Sequence, residues 1–413
     1  MKHPAFVLKW LWLVPLAAVL VGSAAIAGEP VATDWPQWLG PNRDGISAET
    51  GWRTDWAANP PKVLWKAGVG QGYSAVSVAG GLLYTMGFAD GKDTVFCLDA
   101  ETGAEKWKHS YPSGNPDEYL GPRMQPTVCG DLVYTLGRQG DLFCFERTTG
   151  KIRWQANLPS GLGSKPPRWG FACSPLVLGD NLIIDAGPMI ALSKNDGKLA
   201  WKSGSDIPGY SSPVAFKLGG ATLIAGFNDY GPHVVDAEGG KPVGRYRWET
   251  EYGVNSASPV IDGNLMFISS GYGRGAALFE VSQAGLKVVW ENKNMRNHTN
   301  GCVLWKGCLY GFDGQVDAGG LACIDFKTGA PRWSQKNIKM GGLMIADGKL
   351  IIMSSKGDLI IAGAAPDGYK ELARATEVLT GDSKRWTMPV LSGGRIYCRN
   401  HGGQLVSLDV RGK

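Results

Sequence analysis

The sequence lacks the short motifs by which many catalytic proteins are recognised. It contains no H-E-x-x-H, no G-x-S-x-G and no Walker loop, so a zinc protease, a serine hydrolase of that type and a P-loop nucleotidase are not indicated. Its five histidines show no metal-ligand spacing. Only 19% of the residues are charged and the formal net charge is +5, which is too mild to indicate binding to nucleic acid or to an anionic membrane surface.

The cysteines also lack the patterns of redox and haem sites. There are eight, with no C-x-x-C, no C-x-x-C-H and no two adjacent. Cys97, Cys144 and Cys323 occupy the same position in three repeated segments. A position that recurs inside a strand suits a small buried apolar residue. We therefore predict that most of the eight are free, buried thiols.

Long apolar runs are absent except at the N-terminus. There, Lys2 and Lys9 precede an uncharged stretch over 10–27 that ends in Ala-Ile-Ala. This is the layout of a secretory signal peptide over 1–27, cleaved before Gly28, although the length also approaches that of an uncleaved anchor. We expect a periplasmic or secreted protein with no membrane insertion after cleavage. The sequence does not determine whether the following extension, 28–61, packs against the rest.

What the sequence has in excess is glycine, with 59 of 413 residues, together with 24 Pro and 16 Trp. The glycines have no three-residue period, which excludes collagen. A hydrophobic fraction of 44% excludes a disordered chain, and so many Gly and Pro residues would break the helices of a bundle. A turn-rich, β-dominated globular protein remains.

A repeat of 40 to 47 residues accounts for the glycines. A short strand reaches an acidic residue, a polar turn ends in Gly, and a Trp follows. The clear copies are LDAETGAEKW (98–107), FERTTGKIRW (145–154), LSKNDGKLAW (192–201) and IDFKTGAPRW (324–333). We expect the acidic residue to cap its turn and the Trp, in a series that includes Trp248, to lie between neighbouring repeats.

Each copy is preceded by a β-hairpin with a Gly-Asp, Asp-Gly or Gly-Asn turn, so a repeat comprises four short antiparallel strands, A to D. Such repeats form a β-propeller. Seven C–D turns are present, and 387–410 supplies strands A, B and C of one more blade. Because 62–70 is a D strand without a blade, we predict an all-β, eight-bladed propeller over 62–413, closed by this N-terminal strand joining the last blade.

The unit LDAETG-x-x-x-W resembles the quinoprotein-type, or pyrroloquinoline quinone-like, propeller repeat, over roughly 62–410. Segment DWPQWLGPNRDG (34–45) is similar to the leader of exported bacterial members. The resemblance implies the propeller fold, and it covers both quinoprotein alcohol dehydrogenases and non-catalytic propellers such as the outer-membrane protein assembly lipoprotein. The adjacent cysteine pair of the dehydrogenases is absent, and so is a lipidated N-terminal cysteine.

The best candidates for a site are the residues at the mouth of the central channel, where D–A linkers and B–C loops emerge together. This set is rich in aromatic, Arg and amide side chains, a mixture that suits a small ligand or an extended peptide, although such residues also suit a merely filled or solvated mouth. The candidate ligand-binding residues are Tyr73, Arg123, Arg138, Arg168, Trp169, Tyr210, Asn228, Asn255, Tyr272, Arg274, His298, Arg385, Trp386, Asn400 and His401.

The leading functional hypothesis is an exported, non-catalytic binding or scaffold propeller. It is expected to be a monomer that binds a protein or small-molecule ligand at the channel mouth, without catalytic residues, metal or cofactor. The alternative is a dehydrogenase dependent on pyrroloquinoline quinone and calcium that acts on an alcohol or sugar. In that alternative Trp169 or Trp386 would stack on the cofactor, and Arg123, Arg168 or Arg385 would hold its carboxylates.

Overall fold

A computed structural model describes Met1 and residues 33–114, 118–315 and 318–412. The predicted signal peptide, apart from Met1, and residues 28–32 lie outside these ranges. The helices in the described residues are the five-residue α1 (Leu158–Leu162) and a 3-10 turn over Glu251–Gly253. Within those ranges, no helix is long and apolar enough to span a bilayer.

The remaining elements are short strands in eight sheets. In chain order they are β1 Ile46–Ser47, β2 Lys62–Gly68, β3 Ser77–Ala79, β4 Leu82–Ala89, β5 Lys92–Asp99, β6 Glu105–Pro112, β7 Thr127–Cys129, β8 Leu132–Leu136, β9 Asp141–Glu146, β10 Ile152–Asn157, β11 Leu176–Leu178, β12 Asn181–Asp185, β13 Met189–Ser193, β14 Leu199–Ser203, β15 Val214–Leu218, β16 Ala221–Phe227, β17 Pro232–Asp236, β18 Pro242–Arg245, β19 Val260–Asp262, β20 Leu265–Ser270, β21 Gly275–Ser282, β22 Gly285–Asn292, β23 Val303–Trp305, β24 Cys308–Asp313, β25 Gly320–Asp325, β26 Pro331–Gln335, β27 Gly342–Ala346, β28 Lys349–Met353, β29 Leu359–Gly363, β30 Glu371–Ala375, β31 Val390–Ser392, β32 Arg395–Arg399 and β33 Gln404–Asp409.

The predicted eight-bladed propeller is confirmed. Strands β3–β6 form blade 1, each following set of four forms the next blade to β27–β30 in blade 7, and β31–β33 belong to blade 8. Blade 8 takes its outer strand from β2, which pairs antiparallel with β33 so that Lys62 faces Asp409. This pairing closes the ring at the predicted point. The A strands of neighbouring blades contact one another around the central channel.

The repeated Trp joins one blade to the C–D turn of the next, as predicted. Trp107 of blade 1 donates from Nε1 to the carbonyl of Arg147, 2.9 Å away in blade 2. A Cβ on Gly150 of that turn would lie 2.6 Å from the Trp107 ring, and its φ is +72°, so glycine is required there. The same packing recurs in the pairs Trp65–Gly103, Trp154–Gly197, Trp201–Gly240 and Trp290–Gly329.

Trp248 departs from this pattern, and its place in the Trp series is corrected by the structure. Four residues after the turn glycine Gly240, where Trp is expected, lies Gly244. A Cβ there would meet the backbone of Gly285 at 2.8 Å, so two glycines let the outer parts of blades 4 and 5 approach closely. Trp248 is instead fully buried and donates to Ser270 Oγ at 2.6 Å.

Three Asp residues cap their C–D turns, as predicted, whereas Glu146 accepts instead from the Thr149 hydroxyl at 2.9 Å. Asp99 Oδ1 accepts from the backbone N–H of Glu101 and Thr102 at 3.1 and 3.0 Å. Asp236 and Asp325 accept backbone N–H groups in the same way. All eight cysteines are free and all but Cys129 are buried, which confirms that prediction.

The described part of the N-terminal extension packs into the propeller, with residues 33–49, the channel segment, inside the central channel. The segment enters at the end that holds the A–B turns, which we call the far end. There the carbonyl of Thr33 accepts from Ser392 Oγ at 2.7 Å. Trp35 then pairs antiparallel with Val78 on strand A of blade 1.

The channel segment turns inside the channel and returns to the far end. Near the turn, Arg43 donates to the carbonyl of Ser174 at 2.8 Å. The returning part, β1, adds to the inner edge of blade 7 by parallel pairing with β27. Glu49 finally accepts the backbone N–H groups of Gly393 and Gly394 at 3.0 and 2.8 Å. Hydrogen bonds to several blades therefore hold the segment in place.

Candidate functional site

A pocket of about 180 Å³ lies at the mouth of the channel, the end opposite the one where the channel segment enters. Its walls come mainly from the linkers that precede the A strands, and its floor includes Trp38 of the channel segment. The lining residues are Trp38, Tyr73, Ala75, Tyr119, Arg123, Trp169, Ala172, Ser174, Tyr210, Ser212, Val254, Ser256, Tyr272, His298, Thr299, Asn300, Trp386, Thr387 and Met388. We call this the mouth pocket.

A chain of hydrogen bonds between blades fixes the base of the mouth pocket. The backbone N–H of Gln125 donates to Ser174 Oγ at 2.9 Å, and Ser174 N–H donates to Ser212 Oγ at the same distance. Ser212 N–H donates to Ser258 Oγ at 3.2 Å. Ser258 Oγ also accepts Nε1–H of Trp38 at 3.0 Å. The position of the floor thus depends on the same serines that join blades 2 to 5.

Aromatic rings follow one another around the wall, beginning at blade 8. His401 stacks on Tyr73 with ring centroids 4.6 Å apart, and Tyr73 stacks on Trp386 at 5.3 Å. Tyr119 continues the series, 6.1 Å from Trp386 and also 6.1 Å from Trp169. The rings of Tyr119, Trp169 and Trp386 come from linkers between blades, which enter their A strands at the channel mouth.

The series continues towards blade 6. The Trp169 ring is 6.0 Å from both Tyr210 and Tyr252. Tyr252 meets Tyr272 edge-on at 5.6 Å, and Tyr272 meets His298 in the same manner at 5.0 Å. The mouth is therefore bordered by a nearly continuous aromatic surface, which offers both ring faces and ring edges to a bound group.

Cationic side chains lie over this aromatic surface. The guanidinium carbon of Arg168 is 5.1 Å from the ring centroids of both Trp169 and Tyr252. Arg168 is exposed, so its charge faces the solvent at the mouth. Cation–π contact restrains the side chain without neutralising it.

Lys384 and Arg123 lie at the other side of the mouth. Lys384 Nζ is 4.2 Å from the Tyr119 centroid and 4.7 Å from that of Trp386. Arg123 lies 6.0 Å from the Tyr73 ring and donates to the Tyr119 carbonyl at 2.8 Å. The pocket thus has a positively charged border on an aromatic wall.

Burial moves the pKa values of the titratable groups in the wall away from pH 7. It raises the pKa of Tyr210 to about 12 and lowers the pKa of His298 to about 4. Burial also lowers the pKa of His401, more than its hydrogen bond to the Leu120 carbonyl raises it. Both imidazoles are therefore neutral near pH 7, and the positive charge at the mouth comes from Arg and Lys.

The structure brings together part of the predicted residue set. Seven of the fifteen line the mouth pocket: Tyr73, Arg123, Trp169, Tyr210, Tyr272, His298 and Trp386. Arg168 and His401 contact lining rings from the border. Whether these residues bind a ligand stays a prediction.

The other six predicted residues are outside the lining, and most of them satisfy polar groups between loops. Asn228, Asn255, Arg385 and Asn400 are buried and donate to backbone carbonyls, and Arg138 is buried as well. Arg274 pairs with Glu291 at 2.6 Å and lies over Trp248. Topology placed these residues at the correct end of the propeller, but it does not distinguish a buried loop residue from a pocket wall.

Three contributors were missed from sequence. Tyr119 lies in the middle of the 14-residue linker 113–126, whereas the predicted residue of that linker, Arg123, lies closer to the A strand. Lys384 directly precedes the predicted pair Arg385 and Trp386, so proximity to that pair was an available signal. Trp38 belongs to the extension, for which the sequence contained no signal of burial in the channel.

The pocket does not fit a calcium-bound quinone. Calcium takes six to eight oxygen ligands, usually with carboxylates among them. Among the described residues that line the pocket there is no Asp or Glu. Across the described ranges, no group of three His, Cys, Asp or Glu could hold a metal ion. We therefore derive no reaction step through such a cofactor.

Fold and repeat together define a β-propeller of the quinoprotein-like repeat class. The sequence profile of the family described as outer membrane protein assembly factor BamB matches residues 45–117 and 113–335, which is more than half of the chain. The protein belongs to this family. No curated protein sequence matches the chain significantly.

Solved structures with the same fold fall in both branches of the propeller class. BamB from Moraxella catarrhalis is 17% identical with a TM-score of 0.60, covering 84% of this chain and 99% of that one. Quinohemoprotein alcohol dehydrogenase from Comamonas testosteroni is 13% identical with a TM-score of 0.66, covering 92% and 81%. The computationally designed Ika8 protein reaches a TM-score of 0.58 at 10% identity, covering 83% and 98%. At these identities the likeness shows the fold alone.

Proposed function

We propose that this protein is an exported, non-catalytic binding propeller whose mouth pocket holds a segment of a partner protein. The observation that supports this most directly is the pocket itself. Aromatic side chains from several blades surround it, Trp38 closes it below, and no carboxylate is present among its described lining residues. Aromatic and Arg side chains in a concave pocket are the usual anchors of protein recognition.

The protonation states of the wall favour binding over catalysis. A general acid or base works best with a pKa near the working pH. The pKa of Tyr210 is raised to about 12 and that of His298 is lowered to about 4, so neither is suited to exchange a proton at pH 7. Residues 33–49 also fill the channel behind the pocket, so a ligand reaches the pocket from the mouth of the channel.

Family membership supports a protein partner and an exported location. The family description is that of an outer membrane assembly factor, and the predicted signal peptide over 1–27 would direct this chain out of the cytoplasm. We expect the mature chain to act as a monomer in the periplasm or outside the cell.

Site-specific photo-cross-linking in the producing cell tests the proposal. A benzophenone amino acid in place of Tyr272, on the pocket wall, should yield a discrete cross-linked adduct. That adduct should weaken strongly when Trp169 and Trp386 are both changed to Ala. The same probe in place of Leu199, 51% exposed on the outer strand β14, is the matched control and should not yield it. An adduct that is unaffected by the double substitution would remove the mouth pocket from the function.

A titration with pyrroloquinoline quinone and Ca²⁺ tests the enzymatic alternative. The proposal predicts no substrate-dependent reduction of a dye by the purified protein at any cofactor concentration. Saturable cofactor binding together with such reduction would establish the dehydrogenase and overturn the binding role.

A further inference from the structure

We infer that the segment bound at the mouth is an acidic peptide that inserts one aromatic side chain into the pocket and places carboxylates against Lys384 and Arg168. This inference rests on the proposed function and specifies the chemistry of the partner.

The size and lining of the pocket select one aromatic ring. Its volume is about 180 Å³. An engineered apolar cavity of about 150 Å³ in another protein holds one benzene molecule, so this pocket has room for one aromatic ring. Offset-stacked and edge-to-face partners are available from Tyr73, Trp169 and Tyr272, and such pairs are worth about 0.5–1.5 kcal/mol beyond the area they bury.

The charge at the border selects carboxylates. Lys384 and Arg168 are both exposed, and neither forms an ion pair within the described part of the chain. Elsewhere on the surface, many exposed Arg and Lys side chains do have such a partner, as Arg374 has with Asp358 at 2.7 Å. Glu251 lies near Tyr252, yet no ion pair joins it to Arg168 in the described ranges. The two cations are thus available to a carboxylate from outside.

The extent of the aromatic surface favours a peptide over a small molecule. Ring contacts continue from His401 at one side of the mouth to His298 at the other. Tyr252, beyond the pocket lining, is 52% exposed. A ligand that filled only the pocket would leave these rings uncovered, whereas an extended chain would cross them.

Selection from a peptide library tests this chemistry even though the partner is unidentified. A phage-displayed library of random 12-residue peptides is panned on the full-length mature protein. The expected result is enrichment of Phe, Tyr or Trp within two positions of Asp or Glu. Enrichment of basic or neutral aromatic peptides, or no enrichment over the unselected library, would overturn the inference.

The selected peptides are then measured by fluorescence anisotropy against matched variants. The double change K384Q and R168Q should weaken peptide binding about tenfold. The affinity of this variant should also depend less on salt than that of the wild type, because salt screens the exposed charge pairs that the variant lacks. K327Q removes an exposed lysine in a C–D turn at the far end and should leave binding unchanged. Equal affinity of the double variant and the wild type would contradict the role of the two cations.

The outcomes separate this inference from the proposed function. If aromatic peptides bind with and without acidic residues alike, and W169A abolishes binding of both, the pocket binds protein but the acidic preference is wrong. If no peptide binds and the Tyr272 cross-link also gives no adduct, both proposals fail.

Discussion

The two ends of the central channel are built from the same repeated blades, but one end is filled by the channel segment and the other contains an accessible pocket. At the far end the channel segment is buried and hydrogen-bonded, with Trp35 only 1% and Glu49 only 8% exposed. At the mouth the linkers leave aromatic rings half-exposed around a cavity. The difference teaches that burial and hydrogen bonds to several blades mark the end that stabilises the ring. Accessible rings and the exposed cations Arg168 and Lys384 mark the end suited to binding.

Matched Trp→Ala changes at the two ends should show the largest contrast. Replacing buried Trp35 removes a side chain packed against the turn at Gly40, and should lower the free energy of unfolding by about 4 kcal/mol. Replacing Trp169 at the mouth removes mainly ring contacts and should cost about 1 kcal/mol. Urea unfolding of both variants measures the two values. Equal losses would mean that the mouth is as much a part of the stabilising core as the far end.

A second contrast lies within the far end and sharpens the reason for its glycines. G150A adds a Cβ 2.6 Å from the Trp107 ring at a φ of +72°, and should lower the free energy of unfolding by about 3 kcal/mol. G130A places Ala at a similar φ of +56° with no neighbour within 4 Å, and should cost about 1 kcal/mol. Thermal and urea denaturation compare them, and similar costs would show that backbone strain alone, rather than the Trp contact, requires the glycine.

A smaller effect than those of W35A and G150A is expected for a buried carboxyl of blade 1 near the mouth end. Asp93 is 1% exposed, and burial raises its pKa to about 6. Because the unfolded value is about 3.9, Asp93 takes up a proton on folding, so its contribution is complete below about pH 4 and is lost as the pH rises through its folded value. D93N should therefore gain on the order of 2 kcal/mol relative to wild type between pH 4 and pH 7.

Urea midpoints measured across that pH range check the Asp93 prediction. D131N, a change at an exposed Asp in the A–B turn of blade 2, is the control and should track the wild type. A constant difference between D93N and wild type from pH 4 to pH 7 would contradict the assigned pKa.

The sequence predicted the fold to the level of individual strands because the same local features recur in most repeats. Gly turns, turn-capping acids and the Trp that contacts the next blade all act over short distances. The prediction failed at Trp248. The position that holds Trp in the other repeats is Gly244 in this one, and Trp248 lies four residues further along the chain. A one-dimensional period cannot show that two glycines have replaced the usual contact.

The site was predicted only in part, and the misses have one cause. Topology identified the mouth end and, with it, Tyr73, Trp169 and Trp386. It did not separate them from Asn255 or Asn400, which are buried and bonded to backbone carbonyls. Whether a loop side chain turns inward to satisfy a carbonyl or outward to line a cavity depends on neighbours that are distant in sequence.

The sequence by itself determined the number of blades, their internal strand order and the closure of the ring. These follow from local turns, from the unpaired strand at 62–70 and from the missing fourth strand of the last blade. Only the tertiary structure decided that residues 33–49 fill the channel and that Trp38 forms the floor of the mouth pocket. That choice depends on hydrogen bonds between Trp38 and Ser258 and between Arg43 and Ser174, partners more than a hundred residues apart, which no local pattern can reveal.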